Sequence, residues 1–203
     1  MNKTLIVGLI MALNSTNSFA EMRPYIGMSV NIFSINSSEL NASDPSIGFN
    51  FTSSEETRDS GSTSGISGGI IINDNSKINF STFSGKEKDS SFMTATVTSV
   101  SYDYAFNGSG IHKGWFLGGG FSSVEIEAEE TNSTTAGTAK ETGAMFRGGY
   151  EYLFDNNLFL EVGINVHLAE IDLKFNGKGS ASNLEFTSTM DVSNSYITLS
   201  YAF

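Results

Sequence analysis

Hydrophobic and polar residues alternate with a period of two along most of this chain. The last fourteen residues, Met190–Phe203, show the pattern clearly. One parity of this stretch carries Ser195, Ile197, Leu199, Tyr201 and Phe203, and the other carries Asn194, Tyr196, Thr198, Ser200 and Ala202. Because successive side chains of a strand point to opposite faces, the pattern predicts a strand with one apolar face and one mostly polar face.

The same alternation predicts seven earlier strands, which makes eight in all. Their predicted bounds are residues 24–35, 64–72, 77–84, 92–106, 115–126, 142–154 and 158–168. The connections after strands two, four and six are short turns. The stretches 36–63, 127–141 and 174–189 are rich in Ser, Thr, Asn and Glu, and we predict solvated loops there.

One predicted strand breaks the alternation. In residues 115–126 the apolar positions start on odd numbers and end on even ones, at Val124 and Ile126. A β-bulge inserts one extra residue and so moves the following side chains to the other face. We therefore predict a bulge near Ser122 and Ser123.

Together these segments predict an all-β fold, an eight-stranded antiparallel up-and-down transmembrane β-barrel. An even number of strands lets the sheet close, and strands of this length span a bilayer when tilted. Aromatic residues cluster next to the short turns and the C-terminus, where they would form a girdle at one membrane interface. They are Tyr102, Tyr104, Phe106, Trp115, Tyr150, Tyr152, Phe154, Tyr201 and Phe203.

The N-terminus and the composition indicate export. Residues 1–20 predict a secretory signal peptide, with Lys3 before an apolar run and Ser18-Phe19-Ala20 at the cleavage position, and residues 21–203 predict the barrel domain. The apolar run is too short for a membrane-spanning helix. The chain has no cysteine and a net charge of −11, and this acidity argues against a nucleic-acid partner.

The inward face of the predicted hairpin around residues 155–157 carries charge. A regular hairpin there pairs residues whose numbers sum to 312, which places Arg147 opposite Asn165 and Glu151 opposite Glu161. Two facing carboxylates repel each other unless a cation lies nearby.

Several inward positions can supply the opposing charges. These are the cations Arg147, Arg23 and Lys77, which lie on inward parities, and the further acid Asp103 also points inward. The interior of an eight-stranded barrel is just wide enough for side chains to fill. We therefore predict an ion-pair network that largely plugs the lumen in its periplasmic half.

With its predicted signal peptide, eight alternating segments and terminal Phe203, the chain resembles the small OmpA-like outer-membrane β-barrels. This superfamily includes the opacity-type porins and the Ail-like adhesion and serum-resistance proteins. The resemblance covers roughly residues 22–203 as a strand pattern, and its most specific part is Tyr196–Phe203. It implies the outer membrane of a Gram-negative cell and insertion by an assembly machinery that reads the closing strand. It implies neither a peptidoglycan-binding module nor a particular ligand.

Candidate catalytic and metal-binding groups are few. His167 lies near the outer rim close to Glu170, and His112 falls in a predicted turn, but neither has the spacing of a known lipid hydrolase or acyltransferase. Glu151 and Glu161 would need room for a sugar to act as a glycosidase pair. We predict no catalytic, cofactor-binding or metal-binding residues and no enzyme activity.

Two further runs of residues have simple interpretations. Glu125, Glu127, Glu129 and Glu130 could hold a divalent cation, but an acidic run on a loop is more commonly a solvated surface. Gly118-Gly119-Gly120 precedes no helix that could receive a phosphate, and it indicates close packing inside a narrow barrel.

The sequence thus predicts a non-enzymatic outer-membrane barrel whose loops 36–63, 127–141 and 174–189 serve adhesion or interaction at the cell surface. A narrow porin for small solutes and a lipid-modifying enzyme using His167 remain as alternatives. The expected partners are outer-membrane lipid and lipopolysaccharide, the assembly machinery through Phe203, and a host or surface ligand through the loops.

Overall fold

The computed structural model describes residues 22–54, 56–73, 75–88, 93–106, 114–154 and 157–203. Ten strands and one 3₁₀ turn, Gly179–Ala181, occupy these residues. The strands are β1 (Arg23–Asp44), β2 (Phe49–Ser53), β3 (Thr57–Asn73), β4 (Ser76–Lys86), β5 (Met93–Phe106), β6 (Gly114–Ala128), β7 (Gly137–Leu153), β8 (Leu158–His167), β9 (Ile171–Asn176) and β10 (Glu185–Ala202). The predicted signal peptide and His112 lie outside the described residues. Within these ranges no helix has the length and apolar character needed to cross a membrane.

Eight of the strands close into a ring. Antiparallel neighbours follow the order β1-β3-β4-β5-β6-β7-β8-β10, and β10 pairs with β1 from Tyr25–Ala202 to Ser43–Glu185 to complete the circuit. β2 and β9 pair with β1 and β10 beyond the ring, at one end of the molecule. The predicted eight-stranded antiparallel barrel is confirmed.

The strands tilt strongly across the ring. Ladder partners followed from Thr142 on β7 through β6, β5, β4, β3, β1, β10 and β8 return to β7 at Tyr152, ten residues away. With a rise of about 3.3 Å per residue and about 4.8 Å between strands, this shear gives a tilt of about 40°. Each residue therefore advances about 2.5 Å along the barrel axis.

An apolar belt surrounds the outside of the barrel. On β8 and just beyond it, alternate outward side chains from Leu158 to Leu168 are all apolar and extend over about 25 Å of the axis, the height of a membrane-spanning band. We call the end with the short connections β3–β4 and β7–β8 the turn end, and the opposite end the loop end. The predicted aromatic girdle lies at the turn end. Four of its pairs meet edge to face: Tyr104–Phe106, Trp115–Tyr150, Tyr152–Phe154 and Tyr201–Phe203.

Above the belt the two faces of the wall exchange character. Outward positions become polar, and inward positions form a buried apolar cluster at the loop end. We call this cluster the upper core. Its buried members are Phe33, Ile35, Phe83, Ala95, Val97, Val124, Ile126, Ala128, Ala169, Ile171, Leu173, Met190 and Val192.

The predicted bulge near Ser122 and Ser123 is wrong. β6 pairs residue by residue with β5 and with β7 through this region, and neither register shifts. Val124 and Ile126 keep the inward parity of β6 and are fully buried. The apolar residues change parity because the strand leaves the lipid. Below this point the outside of the wall faces lipid, whereas above it the outside faces water and the inside is the core.

Of the predicted solvated loops, stretch 36–63 proves to be mostly strand, and about half of each of the other two is strand. Stretch 36–63 contains the end of β1, all of β2 and the start of β3, and stretches 127–141 and 174–189 likewise carry strand ends. Their polar composition reflects an outer surface in water, not irregular structure. The one register irregularity of the β1–β10 pairing falls between Ser37 and Glu39, in this extramembrane part.

Candidate functional site

A cluster of charged side chains crosses the lumen near the turn end. Lys77 of β4 reaches across the barrel, and its ammonium group bridges the carboxylates of Glu151 on β7 and Glu161 on β8. These three side chains are each 5% exposed or less. The ammonium group also lies 5.2 Å from the ring centre of Phe116, a cation–π distance.

Arg147 extends the cluster toward β5 and β10. Its guanidinium group pairs with Glu161, and one terminal nitrogen lies 3.5 Å from an Asp103 carboxylate oxygen. Tyr196 donates a hydrogen bond of 2.6 Å to Glu161, and Arg147 donates to the Tyr196 hydroxyl oxygen. Two cations thus face three carboxylates in a closed, hydrogen-bonded group. We call Lys77, Asp103, Arg147, Glu151, Glu161 and Tyr196 the lumenal ion cluster.

The ladder between β7 and β8 is the one predicted from the hairpin. Arg147 pairs with Asn165, and Glu151 pairs with Glu161. The predicted ion-pair network is present, built on Lys77 and Arg147. Arg23 lies half-buried at the start of β1, beside Ile71 in the ladder.

Inward glycines make room for this cluster. A Cβ atom on Gly118 would lie 2.1 Å from an Asp103 carboxylate oxygen, and one on Gly163 would lie 2.6 Å from the Tyr196 hydroxyl. Gly120, in the run Gly118-Gly119-Gly120, packs against the backbone of the neighbouring strand β5, because its Cβ would lie 1.9 Å from the Val100 carbonyl oxygen. The predicted role of the glycine run in close packing is confirmed for Gly118 and Gly120, whereas a Cβ on Gly119 would lie 3.8 Å from its nearest neighbour.

Amide side chains lie between the lumenal ion cluster and the upper core. Asn194 donates to Asn31 at 3.0 Å, and Asn165 donates to Asn194 at 3.2 Å. The ring nitrogen Nε2 of His167 lies 3.0 Å from the Asn194 amide oxygen. Below this layer a polar cavity of about 20 Å³, room for one water molecule, lies beside Tyr25 and Tyr196.

The predicted neighbours His167 and Glu170 do not form a catalytic pair. His167 is 3% exposed and points into the barrel, whereas Glu170 is exposed to solvent. Within the part of the chain that the structure describes, the hydrogen-bond partner of the ring is an amide and not a carboxylate. An amide can hold the ring in place, but it cannot stabilise a charged imidazolium as an acid does.

Solved structures share this architecture, although no family model and no curated protein matches the sequence. The outer-membrane protein OprG from Pseudomonas aeruginosa superposes with a TM-score of 0.65 over 89% of this chain and 96% of that chain, at 13% identity. The outer-membrane protein AlkL, solved in lipid bilayers, superposes with a TM-score of 0.52 over 93% of each chain, at 15% identity. The protein folds as a small outer-membrane β-barrel. The resemblance to the OmpA-like barrels is confirmed at the level of the fold, and an outer-membrane location follows from the fold and the apolar belt.

On the outside of this outer-membrane barrel three residues of the predicted acidic run form ion pairs, one within the β6–β7 hairpin and two with neighbouring hairpins. Glu125 lies 2.8 Å from the Lys140 ammonium on β7, Glu129 pairs with Lys86, and Glu130 pairs with Lys178. Among the described residues no group of three or more acidic or histidine side chains is arranged to hold a metal ion. The run links the hairpins of the barrel's extramembrane part.

Two features of this outer-membrane barrel are not predicted by the alternation of hydrophobic and polar residues. Tyr196 has the inward parity of β10, but its place in the ion cluster depends on where β8 and β7 lie around the ring. The upper core is invisible to a pattern that assumes one lipid-facing and one polar face throughout. The signal for the upper core is the parity change at Val124, which occurs without any turn residue.

Proposed function

We propose that this protein is a non-enzymatic surface barrel, in which a closed membrane part carries extramembrane hairpins that adhere to or interact with molecules outside the cell. The observation that carries this proposal is the presence of buried side chains of opposite chemistry at two levels inside the barrel. The lumenal ion cluster lies near the turn end, and the upper core lies at the loop end. A closed barrel has its free surface on the outside.

The filled lumen supports a scaffold over the narrow porin. A solute passing from the loop end would first have to displace apolar side chains such as Val97 and Ile126, which are 1% exposed or less. It would then have to break the bridges from Lys77 to its two carboxylates. The polar cavity between these levels has room for one water molecule.

The surroundings of His167 support the absence of catalysis. A lipid-modifying site needs a nucleophile, a base and an orienting acid within reach of the substrate. His167 is buried under the upper core and paired with Asn194. Lipid on the outside of the barrel would not reach this ring.

The extramembrane hairpins have the rigidity that a binding surface needs. The β6–β7 connection is tied to the β9 region by the Thr134–Gly177 bridge and by a 2.8 Å hydrogen bond from the Thr135 amide to the Asn176 carbonyl. Lys178 adds an ion pair to Glu130. Loops held by a rigid scaffold are common places for binding residues.

Two partners follow from the membrane location. Lipid and lipopolysaccharide cover the apolar belt, and the outer-membrane assembly machinery inserts the barrel by reading the strand that ends in Phe203. In support, Phe203 is exposed and continues β10, where its amide donates a 2.9 Å hydrogen bond to the Pro24 carbonyl of β1. The end of β10 therefore closes the ring against β1.

The experiment is a comparison of loop-shortened variants on living cells. Stretches 36–63, 127–141 and 174–189 are each replaced by a short turn, and barrel folding is checked by heat-modified gel mobility. We expect at least one folded variant to lose the attachment of fluorescent bacteria to cultured epithelial cells. Attachment equal to the parent strain in all three folded variants would contradict the proposal.

A further inference from the structure

The β1–β2 hairpin exposes apolar side chains far above the membrane. Phe49 and Phe51 of β2 are 45% and 53% exposed, and Ile47 in the preceding turn is 76% exposed. Phe51 pairs with Ala42, and β1 leaves the apolar belt at Ile32. At about 2.5 Å per residue, the ten residues from Ile32 to Ala42 place Phe51 about 25 Å above the belt. Lipid tails do not reach this height, so the aromatic patch faces water. Such patches mark interaction sites.

β2 is an edge strand with an open side. It pairs with β1 from Leu40–Ser53 to Asp44–Phe49, and within the described ranges no strand pairs with its other edge. A row of backbone donors and acceptors is therefore available along this edge. Proteins commonly block such edges with a lysine, a proline or a bulge within the strand. The sequence of β2, Phe-Asn-Phe-Thr-Ser, contains no lysine and no proline, and its pairing with β1 runs without a register shift.

β2 also carries one end of a row of apolar side chains that crosses four strands. Phe51 pairs with Ala42 on β1, Ala42 pairs with Phe186 on β10, and Phe186 pairs with Phe175 on β9. The rings of Phe175 and Phe186 stack with their centres 5.3 Å apart. Directly opposite residues of a sheet share a face, so an added strand would continue the row beside Phe51.

The surroundings of the open edge are acidic. Glu39, Asp44, Glu56 and Asp59 lie on or next to the strands around it, and the neighbouring Arg58 is engaged by a 3.1 Å hydrogen bond to Ser34. The whole chain carries a net charge of −11. A basic partner is therefore favoured over an acidic one.

We propose that β2 binds an extended peptide segment of a partner protein, with alternating apolar and basic residues, as an added strand of the sheet β9-β10-β1-β2. This inference rests on the proposed function, because it locates the interaction surface within stretch 36–63. Main-chain hydrogen bonds to the open edge provide affinity, and alternate apolar side chains pack against Phe49 and Phe51. The basic side chains complement the acidic surroundings.

A second copy of the chain fits the edge less well. Antiparallel pairing of two identical strands has its two-fold axis perpendicular to the sheet. Because the strands rise from the membrane, that axis would turn the second copy upside down relative to the first. Two copies in one membrane have the same orientation, and the acidic groups beside both edges would also repel each other.

The test uses refolded full-length barrel in detergent and a fluorescein-labelled peptide, Lys-Val-Lys-Phe-Lys-Val-Lys-Phe-Lys, with binding read by fluorescence anisotropy. Phe51→Asp places a charge in the apolar row, and Asn50→Asp places the same charge on the adjacent residue of the same strand as a matched control. We expect saturable binding that Phe51→Asp weakens about tenfold or more and that Asn50→Asp weakens by less than about threefold.

A second pair of peptides tests the backbone contacts. The same peptide is N-methylated at its odd or at its even residues, which keeps its side chains and charge but removes one row of donors. We expect one of the two to bind about tenfold more weakly or worse than the parent. Equal binding by both, absence of saturable binding, or equal binding to Phe51→Asp would overturn the inference.

Self-association is measured on the same samples by analytical ultracentrifugation. We expect monomers, and a dimer that Phe51→Asp abolishes would overturn the peptide as occupant in favour of a second copy. A failed peptide experiment leaves the proposed function standing if a loop-shortened variant still loses attachment to cells. Attachment that survives in every loop-shortened variant would instead remove the proposed function.

Discussion

Replacing Lys77 with Met removes the cation between Glu151 and Glu161 while keeping most of the side-chain length. In the native barrel these carboxylates lie opposite each other in the β7–β8 ladder and share the Lys77 ammonium group. Arg147 remains beside Glu161 and Asp103. The variant therefore keeps three buried carboxylates with one cation.

The size of the effect follows from the geometry. Two unit charges about 4 Å apart interact by about 4 kcal/mol at an effective dielectric constant near 20, so Lys77 gains about 8 kcal/mol from its two partners. The cost of taking its charge out of water offsets much of this gain. Breaking a buried pair by removing one partner costs about 3–5 kcal/mol, and we expect Lys77→Met to lie in that range.

Unfolding by urea in lipid vesicles measures this cost. Trp115 is the single tryptophan of the chain and lies in the apolar belt with 64% of its surface exposed, so its fluorescence reports departure from lipid. The matched control is Lys86→Met, which removes an ion pair with Glu129 in which both side chains are more than half exposed. Exposed pairs contribute about 0–1 kcal/mol, so the control should unfold close to the parent.

A double substitution separates charge from packing. Glu151→Gln combined with Lys77→Met restores the net charge of the native cluster. The native cluster has two cations and three carboxylates, and the double variant has one cation and two carboxylates. We expect the double variant to recover about half or more of the stability lost in Lys77→Met. A Lys77→Met barrel as stable as the Lys86→Met control would refute the reasoning, as would a double variant no more stable than Lys77→Met alone.

Three further predictions follow from the wall of the barrel. Gly120→Ala should destabilise by about 2 kcal/mol or more in urea unfolding, because its Cβ would lie 1.9 Å from the Val100 carbonyl, whereas Gly119→Ala, with 3.8 Å of clearance, should be nearly neutral; equal effects would contradict the packing. Spin labels at single cysteines on odd positions of β6 should be accessible to oxygen up to Phe121. At Glu125 and beyond they should be accessible to water-soluble nickel reagents. Nickel accessibility at Val124 instead of Glu125 would support the bulge. Deletion of Phe203 should reduce the amount of heat-modifiable barrel in the outer membrane, and normal insertion would remove the proposed role of this residue.

The membrane part of the barrel could be predicted because each strand there separates two unlike surroundings. Lipid outside and a polar lumen inside impose the alternation seen in Leu158–Leu168, and the hairpin after β7 then determines the pairing of Glu151 with Glu161. These are local relations, since a strand and its neighbour in sequence contain all the information needed.

The upper part could not be predicted in the same way. Ser, Thr and Asn in stretch 36–63 have the composition of a loop, yet the structure places them on the water-facing side of long strands. The apolar residues needed to recognise a core there, such as Phe33 and Leu173, come from different hairpins. At Val124 the outer face of the strand passes from lipid to water. The pattern of a single strand cannot distinguish this change from a β-bulge.

The sequence predicts most members of the lumenal ion cluster but not which of them contact each other. Parity alone places Lys77, Asp103 and Arg147 on the inner face, but it does not say which of them meet. The shear of ten residues around the ring sets the heights of β4, β7 and β8, and it brings Lys77 level with both glutamates. Shear is a property of the whole closed circuit, which no local pattern contains.

Planar-bilayer recording tests the closed lumen, the central claim of this account, most directly. Purified barrel is reconstituted into a bilayer and held across a range of voltages and salt concentrations. If the lumenal ion cluster and the upper core close the lumen as proposed, the current is expected to be no different from that of the protein-free bilayer. Reproducible conductance steps that scale with salt concentration and are enlarged by Lys77→Met would contradict the closed scaffold and favour the narrow porin.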